Sequence, residues 1–295
     1  MSVIRVQMLG GLGNQMFQAA AGIALAQRLG ARLELDTSRL RIGAARRFGL
    51  GALKVAADTF SDKAHPFERS FNKAIHKTAK IFHASAQRRP TGWRGAIFTE
   101  PHHHFAAAFE EISGACYLRG YFQSPRYVNG AEDAVRNAFS LEGAVSRSAL
   151  ATAATFGEGS VALHVRRGDY LAHSKANAFH GVLNAHYYDR ALEWLEARDA
   201  VKNIYVFSDD ANYARQMFAH HPKAQIISGE SEFDDMFLMS KARAHIIANS
   251  TFSWWSAWLD ARPDSIVIAP QNWFAPNAML THNVRDLFPK NWITL

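Results

Sequence analysis

Cysteine, charged residues and long apolar runs are all scarce in this chain. Of its 295 residues one is a cysteine, Cys116, so neither an intramolecular disulfide nor a cysteine-rich metal site can form. Charged residues make up 20% and hydrophobic residues 48%, a balance that excludes disordered chains, collagen and coiled coils. No apolar run approaches the roughly 18 residues that span a bilayer, and the start of the sequence has no signal-peptide pattern. We therefore expect a globular protein of the cytoplasm.

Acidic residues are in the minority, because 33 Lys and Arg residues face 26 Asp and Glu residues, for a formal net charge of +7. This excess favours an anionic partner, such as a phosphorylated ligand, a nucleic acid or an acidic membrane surface. Net charge does not choose among them. Neither solenoid repeats nor low-complexity tracts occur. At this length, two domains of about 150 residues each are the expected organisation.

The chain opens with the pattern of a strand, a glycine-rich loop and a helix. Residues 3–9 are β-rich, residues 10–13 read Gly-Gly-Leu-Gly, and residues 14–29 favour a helix that Gly30 ends. Residues 31–36 alternate apolar and polar side chains as a second strand does. This pattern is typical of the first βαβ unit of an open α/β sheet.

The glycine loop also invites comparison with the dinucleotide-binding fingerprint. Gly11 and Gly13 follow a strand, and Asp36 comes about twenty residues later, as that fingerprint requires. Met16 occupies the place of the third glycine. A dehydrogenase is therefore disfavoured, although the pattern leaves it open.

The second half of the chain predicts a parallel sheet covered by helices. Short apolar strands alternate with helical stretches, as expected when both faces of a sheet are buried. The strand candidates are residues 160–165, 203–208, 224–228, 244–249 and 265–270. Before these strands, the signal for secondary structure is weak over residues 37–101, where a helix is predicted at 65–88. A strand is predicted at 116–122, followed by a helix that ends near residue 139. We predict an α/β fold in which two Rossmann-like domains, 1–150 and 151–295, face a central cleft.

Unusual polar residues follow the first strand of the second half. His164 and Arg166 lie on one side of that strand, and Arg167 comes where the strand is ending, so that its side chain can turn toward the cleft. Two guanidinium groups could hold a diphosphate bidentately, with Asp169 orienting one of them. The alternative is a solvated strand end with a local salt bridge.

Two further strands end in polar residues. Asp209 and Asp210 could bind a metal, act as a base, accept hydrogen bonds from a guanine or ribose, or cap the next helix. Asn249 and Ser250 precede a tryptophan-rich helix, where they could receive phosphate oxygens or again serve as caps. We expect the tryptophans to be core residues. The tract at 102–104, three consecutive histidines, is expected to be an exposed loop rather than a metal site.

These places carry a family resemblance. GGLGNQMFQ at 10–18, GYFQSPRY at 120–127, HVRRGDY at 164–170, FSDD at 207–210 and NSTFSWWSAWL at 249–259 together resemble the alpha-1,2-fucosyltransferases of glycosyltransferase family 11, in a bacterial form. The motifs occur in order along nearly the whole chain. The resemblance implies a GT-B fold and an inverting transfer of L-fucose from GDP-fucose to the 2-hydroxyl of a galactose-terminated glycan. It implies no cofactor and no required metal.

The resemblance also implies roles for individual residues. Arg166 would contact the diphosphate, and Arg167 and Asp169 would support its loop. GDP-fucose would be bound by the second domain, 151–295, and the acceptor mainly by the first, 1–150, with Asn14 and Gln15 facing the donor from across the cleft. The residues implied to contact the donor are Gly11, Gly13, Asn14, Gln15, His164, Arg166, Asp209 or Asp210, Asn249, Ser250 and Phe252.

The proton of the attacking hydroxyl needs an acceptor. The candidates are His173, His180, Asp36 and Glu100. Two other functions remain open, a GT-B transferase with another nucleotide-sugar donor and a non-catalytic nucleotide or sugar-binding protein. The expected partners are GDP-fucose and a galactoside, without nucleic acid. Peripheral contact with membrane-borne glycolipid acceptors at the inner face is compatible with these expectations.

Overall fold

The computed structural model describes residues 2–41, 47–60, 90, 93–167, 179 and 181–295. In this part of the chain, five parallel strands form a first sheet in the order β3-β2-β1-β5-β4. The strands are β1 (Val3–Gln7), β2 (Arg32–Asp36), β3 (Asp58–Phe60), β4 (Ala96–Thr99) and β5 (Cys116–Arg119). The helix predicted at 65–88 lies outside the described residues.

The first helix, α1 (Leu12–Leu29), confirms the predicted strand, loop and helix. Gly30 ends it in the left-handed conformation (φ 56°), which a residue without a Cβ adopts at little cost. Most of its residues are buried, because its Ala, Leu and Met side chains pack into the core. It packs on β1 and β2, and its first turn lies at the carboxyl edge of the sheet.

A second parallel sheet confirms the strands predicted for the second half. Its order among the described residues is β11-β10-β9-β6-β7-β8. The strands are β6 (Ser160–Val165), β7 (Asn203–Ser208), β8 (Ala224–Ile227), β9 (Ala244–Ile246), β10 (Ile266–Ala269) and β11 (Ile293–Thr294). Its middle strands are buried almost throughout, as expected for a sheet covered on both faces.

Helices cover this second sheet and connect its strands. Those after α1 are α2 (Glu132–Ala138), α3 (Arg147–Ala153), α4 (Ala185–Glu196), α5 (Ala211–Met217), α6 (Glu232–Lys241), α7 (Thr251–Leu259) and α8 (Pro276–Met279). Helix α3 spans the predicted division at residue 150 and packs against α6. The division itself stays a prediction. None of the helices in the described ranges is both long and apolar enough to cross a membrane.

The two sheets share one hydrophobic core through α1 and α7. The ring of Phe17 lies 4.5 Å from that of Trp254 and 4.9 Å from that of Trp255. Both indoles are almost completely buried. The tryptophans are therefore core residues, as predicted, and the packing brings the first turns of α1 and α7 together.

Candidate active site

A cleft of about 1240 Å³ runs between the carboxyl ends of the two sheets. Most residues predicted to bind the donor line it. They are Gly11, Gly13, Asn14, His164, Arg166, Asp209, Asn249, Ser250 and Phe252. Because the strands are parallel, their final residues meet at one edge, and this explains why motifs far apart in sequence converge.

Arg166 lies at the centre of the cleft, directly after β6. Its Nε is 3.2 Å from Oδ2 of Asp209, which follows the neighbouring strand β7. The other oxygen of Asp209 accepts a hydrogen bond of 2.9 Å from the backbone N–H of Arg167. Asp209 therefore joins the ends of two strands and orients the guanidinium group of Arg166.

His164 is buried beside this ion pair. Burial, together with the positive charge of Arg166, lowers its pKa to about 3. Its Nδ1 has no hydrogen-bond partner among the described residues, and its ring lies 5.9 Å from that of Phe252. The imidazole is therefore neutral at physiological pH.

Arg167 and Asp210 do not line the cleft, and their predicted direct roles are corrected. Arg167 Nη1 pairs with Oδ2 of Asp210 at 2.6 Å, and its guanidinium group lies over the ring of Tyr213 at 4.0 Å. Asp210 caps α5 by accepting the backbone N–H of Tyr213, which together with Arg167 lowers its pKa. Arg167 pairs with the residue that caps α5, so of the two roles predicted for it the geometry favours support of the loop over contact with a diphosphate.

The first turns of α1 and α7 meet on the floor of the cleft. A Cβ placed on Gly13 would lie 2.5 Å from the carbonyl carbon of Thr251 and 2.7 Å from the backbone nitrogen of Phe252. Ser250 caps α7 through its side chain, and Asn249 Nδ2 donates to the carbonyl oxygen of Gly181 at 3.1 Å. Gly13 therefore serves close packing of two helix N-termini, and residues of both first turns line the cleft.

Gln15 was predicted to face the donor, and this prediction is wrong. Its side chain is buried inside the first half and binds three backbone groups there, the carbonyl oxygens of Gly10 and Arg47 and the N–H of Gly49. Gln15 therefore holds the loop at 47–49 against α1. The neighbouring Asn14 does face the cleft and accepts a hydrogen bond of 3.0 Å from Nε2 of Gln123.

Two of the candidate proton acceptors lie outside the cleft. Asp36 is buried and accepts hydrogen bonds from the hydroxyl of Tyr117 and the N–H of Ser38. Glu100 accepts two backbone N–H groups, and burial raises its pKa. Both carboxylates support the fold, because their hydrogen-bond partners are groups of the first half. Asp169, His173 and His180 lie outside the described residues.

The sequence matches a family model. The model described as glycosyl transferase family 11 matches residues 98–295. The chain belongs to glycosyltransferase family 11. An O-antigen biosynthesis glycosyltransferase of Escherichia coli, WbnK, is 33% identical over 97% of this chain and 98% of its own length. An alpha-1,2-colitosyltransferase of the same species is 29% identical over 100% of this chain and 99% of its own length.

The fold of this family 11 glycosyltransferase is of the GT-B type, as predicted. A mutant of Arabidopsis thaliana FUT1, solved in complex with GDP, superposes with a TM-score of 0.51. That match covers 94% of this chain and 72% of the other, at 12% sequence identity. At this level of identity the similarity shows a shared fold.

Two carboxylates at one end of the cleft were not predicted from the sequence. Glu232 and Asp235, in the first turn of α6, line the cleft next to Asp209. Burial raises the pKa of Asp235, whose Oδ1 accepts the N–H of Gly229 at 2.6 Å. Glu232 and Asp235 come five and eight residues after β8, whereas Arg166 and Asp209 directly follow their strands, so the strand-end rule did not single them out.

Aromatic residues form the other end of the cleft. His103 lines it, and its ring lies 5.3 Å from that of Phe274 and 6.5 Å from that of Tyr121. The expectation that the histidine tract is an exposed loop is therefore wrong for His103, which is half-buried between the two halves. The tract follows β4 (Ala96–Thr99) by three residues, but that strand lies in the part of the sequence, residues 37–101, whose signal is weak.

A group able to hold a metal ion occurs elsewhere on the glycosyltransferase. Within the described ranges, Asp189, His220 and His221 have one ligand atom each within 4.8 Å of one another. None of the three lines the cleft.

Proposed function

We propose that this enzyme is an inverting transferase that moves L-fucose from GDP-fucose to the 2-hydroxyl of a galactose-terminated glycan without a metal ion. The proposal rests on one observation: Asp209 orients the guanidinium group of Arg166 in a cleft that two helix N-termini also line. A diphosphate leaving group needs such a cationic site. The fucosyl donor is supported by the resemblance of the motifs around these residues to alpha-1,2-fucosyltransferases.

The order of the strands suggests how the donor lies. Along the sheet from β10 to β8, the cleft changes from aromatic residues to Asn249 and Ser250, then to Arg166, and finally to carboxylates. A guanine presents N–H donors that pair with carboxylates, whereas phosphates pair with Arg166 and the helix ends. The nucleoside therefore lies at the carboxylate end, and the sugar lies toward the aromatic end.

The residues of the cleft would accelerate the reaction by stabilising the departing GDP. When the bond between fucose and GDP breaks, negative charge collects on the phosphate while the sugar becomes positive. Arg166, held by Asp209, and the helix N-termini of α1 and α7 line the cleft where that charge would collect, so they would stabilise the transition state more than the ground state. Arg166 takes the role that Mg²⁺ has in metal-dependent transferases.

The proton of the attacking hydroxyl goes to a group on the acceptor side. The described imidazoles that line the cleft are His103 and His164. His164 is too weak a base because its pKa is about 3. We assign the proton to His103, which lies at the aromatic end where the acceptor enters.

A second donor is favoured by a specific observation. The alpha-1,2-colitosyltransferase is similar over the full length of this chain, so colitose could take the place of fucose with the same linkage. The nucleotide end of the cleft would be unchanged, because the two functions differ in the transferred sugar.

Calorimetric titration with GDP, UDP and ADP tests the nucleotide. We expect GDP to bind at least tenfold more tightly than the other two, since the diphosphate is common and selectivity must come from the base. Asp235→Asn should reduce that preference and leave the affinity for pyrophosphate unchanged. Equal affinity for UDP would overturn the guanine assignment.

Product analysis tests the reaction. GDP-fucose and the corresponding colitose donor are each incubated with a panel of galactosides, and the linkage is read by NMR. Transfer of fucose to the 2-hydroxyl with inversion supports the proposal. Transfer of colitose alone would favour the second donor, and GDP binding without transfer or hydrolysis would indicate a binding protein.

A further inference from the structure

The turn after β5 has an unusual backbone. Phe122 has a φ of 54°, a conformation that bulky side chains rarely adopt, and Gly120 has a φ of 155°. Such conformations persist where the surrounding structure enforces them, and they concentrate at functional sites. We therefore asked what holds the turn at 120–122 in this conformation and which function the conformation serves.

Glu100 is the structural cause. Its Oε2 accepts the backbone N–H of Tyr121 at 2.8 Å and that of Phe122 at 2.9 Å. A Cβ on Gly120 would lie 2.5 Å from the Cβ of Glu100, so the close approach of the two segments requires glycine. The ring of Phe122 is buried in the core, 5.1 Å from that of Tyr127. The carboxylate and the buried ring together fix the turn.

The fixed turn directs Tyr121 into the cleft. Tyr121 is 39% exposed, whereas the neighbouring Phe122 is 1% exposed. The next residue, Gln123, also lines the cleft and binds Asn14. An exposed aromatic ring held on a rigid backbone costs little conformational freedom when a ligand binds to it.

The surroundings of Tyr121 fit a sugar. His103 lies beside it, and Phe274 of the second half closes the same end of the cleft. A pyranose ring presents C–H groups on one face, which stack on an aromatic ring, and hydroxyl groups at its edge, which bind phenol, imidazole and amide groups.

We propose that Tyr121 is the platform on which the acceptor hexopyranoside stacks, and that Glu100 is the positioning residue that holds this platform in the cleft. This inference rests on the proposed function, because it names the part of the site that takes the acceptor. Glu100 does not line the cleft. It acts on the acceptor through the two amide groups of the turn.

The test compares four single variants, the double variant Tyr121→Ala with Glu100→Ala, and a control variant under steady-state conditions. Tyr121→Ala removes the ring, and Tyr121→Phe keeps it. Glu100→Ala removes the carboxylate, and Glu100→Gln keeps one oxygen that can accept the amide groups. Leu150→Ala, an exposed position on α3 outside the cleft, is the control for loss of an exposed apolar side chain. The measured quantities are the acceptor KM, the donor KM, the GDP affinity by calorimetry, and the donor hydrolysis rate without acceptor.

We expect Tyr121→Ala to raise the acceptor KM by about tenfold and to leave GDP affinity and donor hydrolysis within about twofold of wild type. Tyr121→Phe and Glu100→Gln should remain close to wild type. Glu100→Ala should raise the acceptor KM as Tyr121→Ala does, and the double variant should be no worse than Tyr121→Ala, because both changes remove one platform.

An unchanged acceptor KM in Tyr121→Ala would overturn the platform. An additional rise in the acceptor KM of the double variant would overturn the positioning role of Glu100. If Glu100→Ala does not fold, Glu100→Asp replaces it, because a carboxylate shortened by one carbon cannot reach both amide groups. If the wild-type protein does not bind GDP, the proposed function is contradicted instead. If it transfers a sugar other than fucose, the acceptor KM values of the variants can still be compared.

Discussion

The indole Nε1 of Trp255 donates a hydrogen bond of 3.0 Å to the carbonyl oxygen of Gly13, 242 positions earlier in the chain. This bond joins the first turns of α1 and α7 where they form the floor of the cleft. The carbonyl oxygen is within reach because Gly13 has no side chain to hold the helices apart. The floor of the cleft in this family 11 glycosyltransferase therefore depends on contact between its two halves.

Gly13→Ala should lower both thermal stability and GDP affinity. The added methyl group meets backbone atoms of Thr251 and Phe252 that cannot rotate away, and overpacking of this kind costs about 1–3 kcal/mol. Differential scanning calorimetry and GDP titration measure the two effects. Gly143→Ala is the matched control, because a Cβ there has no atom within 4 Å. Equal behaviour of the two variants would contradict the close-packing role of Gly13.

Arg166→Lys should reduce turnover by about 10² to 10³, the usual loss for a transition-state contact worth roughly 3 to 4 kcal/mol. Lysine keeps the charge but loses the planar fork that holds two oxygens and that Asp209 orients. The melting temperature should change little, because the side chain lies in the cleft and not in the core.

Arg167→Lys is the comparison for that variant. It loses the pairing geometry with Asp210 and should lower turnover less than Arg166→Lys. Both turnover and melting temperature are measured for each variant. If turnover of Arg166→Lys is near normal, or if its loss only follows unfolding, Arg166 is a structural residue.

His164 should make the fold sensitive to acid. Its pKa is about 3 in the folded protein and about 6.5 in the unfolded chain, so the unfolded state binds the proton first as pH falls. The stability is fully present above about pH 6.5 and decreases below it by about 1.4 kcal/mol per pH unit. Between pH 7.5 and 5.0 this amounts to about 2 kcal/mol.

Urea unfolding of the wild type and of His164→Gln at these two pH values measures that effect. The free energy of unfolding should fall about 2 kcal/mol further in the wild type than in the variant. Other histidines contribute equally to both proteins and cancel in the comparison. Parallel pH dependence of the two proteins would show that His164 accepts a proton in the folded state.

Turnover should persist in excess chelator. The carboxylates of Asp209 and Asp210 already pair with Arg166 and Arg167, respectively, and a metal ion there would have to displace both arginines. Product formation is measured with EDTA and after addition of Mg²⁺ or Mn²⁺, with change of less than about twofold expected. Loss of activity that either ion restores would assign the two aspartates as metal ligands.

The motifs at strand ends were predictable because parallel strands bring their carboxyl ends to one edge. That rule placed Arg166, Asp209 and Asn249 together from spacing alone. It could not separate Asp209 from Asp210, since alternation stops where a strand ends and a helix cap takes the second residue. Nor could it orient Gln15, which turns toward a loop from a segment whose sequence carries a weak signal.

Other parts of the site depend on contacts between distant segments. Tyr121 faces the cleft because Glu100 holds its backbone, and nothing in either local sequence announces that pairing. His103 reaches the cleft from a loop that contacts the second half through Phe274, His282 and Asp286. Such residues could not be found from the periodicity of the sequence, which reports only the buried face of each element.

The contact between Gly13 and Thr251 also limits how such enzymes can be recombined. A chimaera that joins the second half of this chain to the first half of a relative would combine two helix ends selected in different proteins. Any side chain at position 13 would separate them and widen the floor of the donor site. Exchange of donor specificity between relatives should therefore transfer α1 together with the second half, because the first turn of α1 packs directly on α7 of that half.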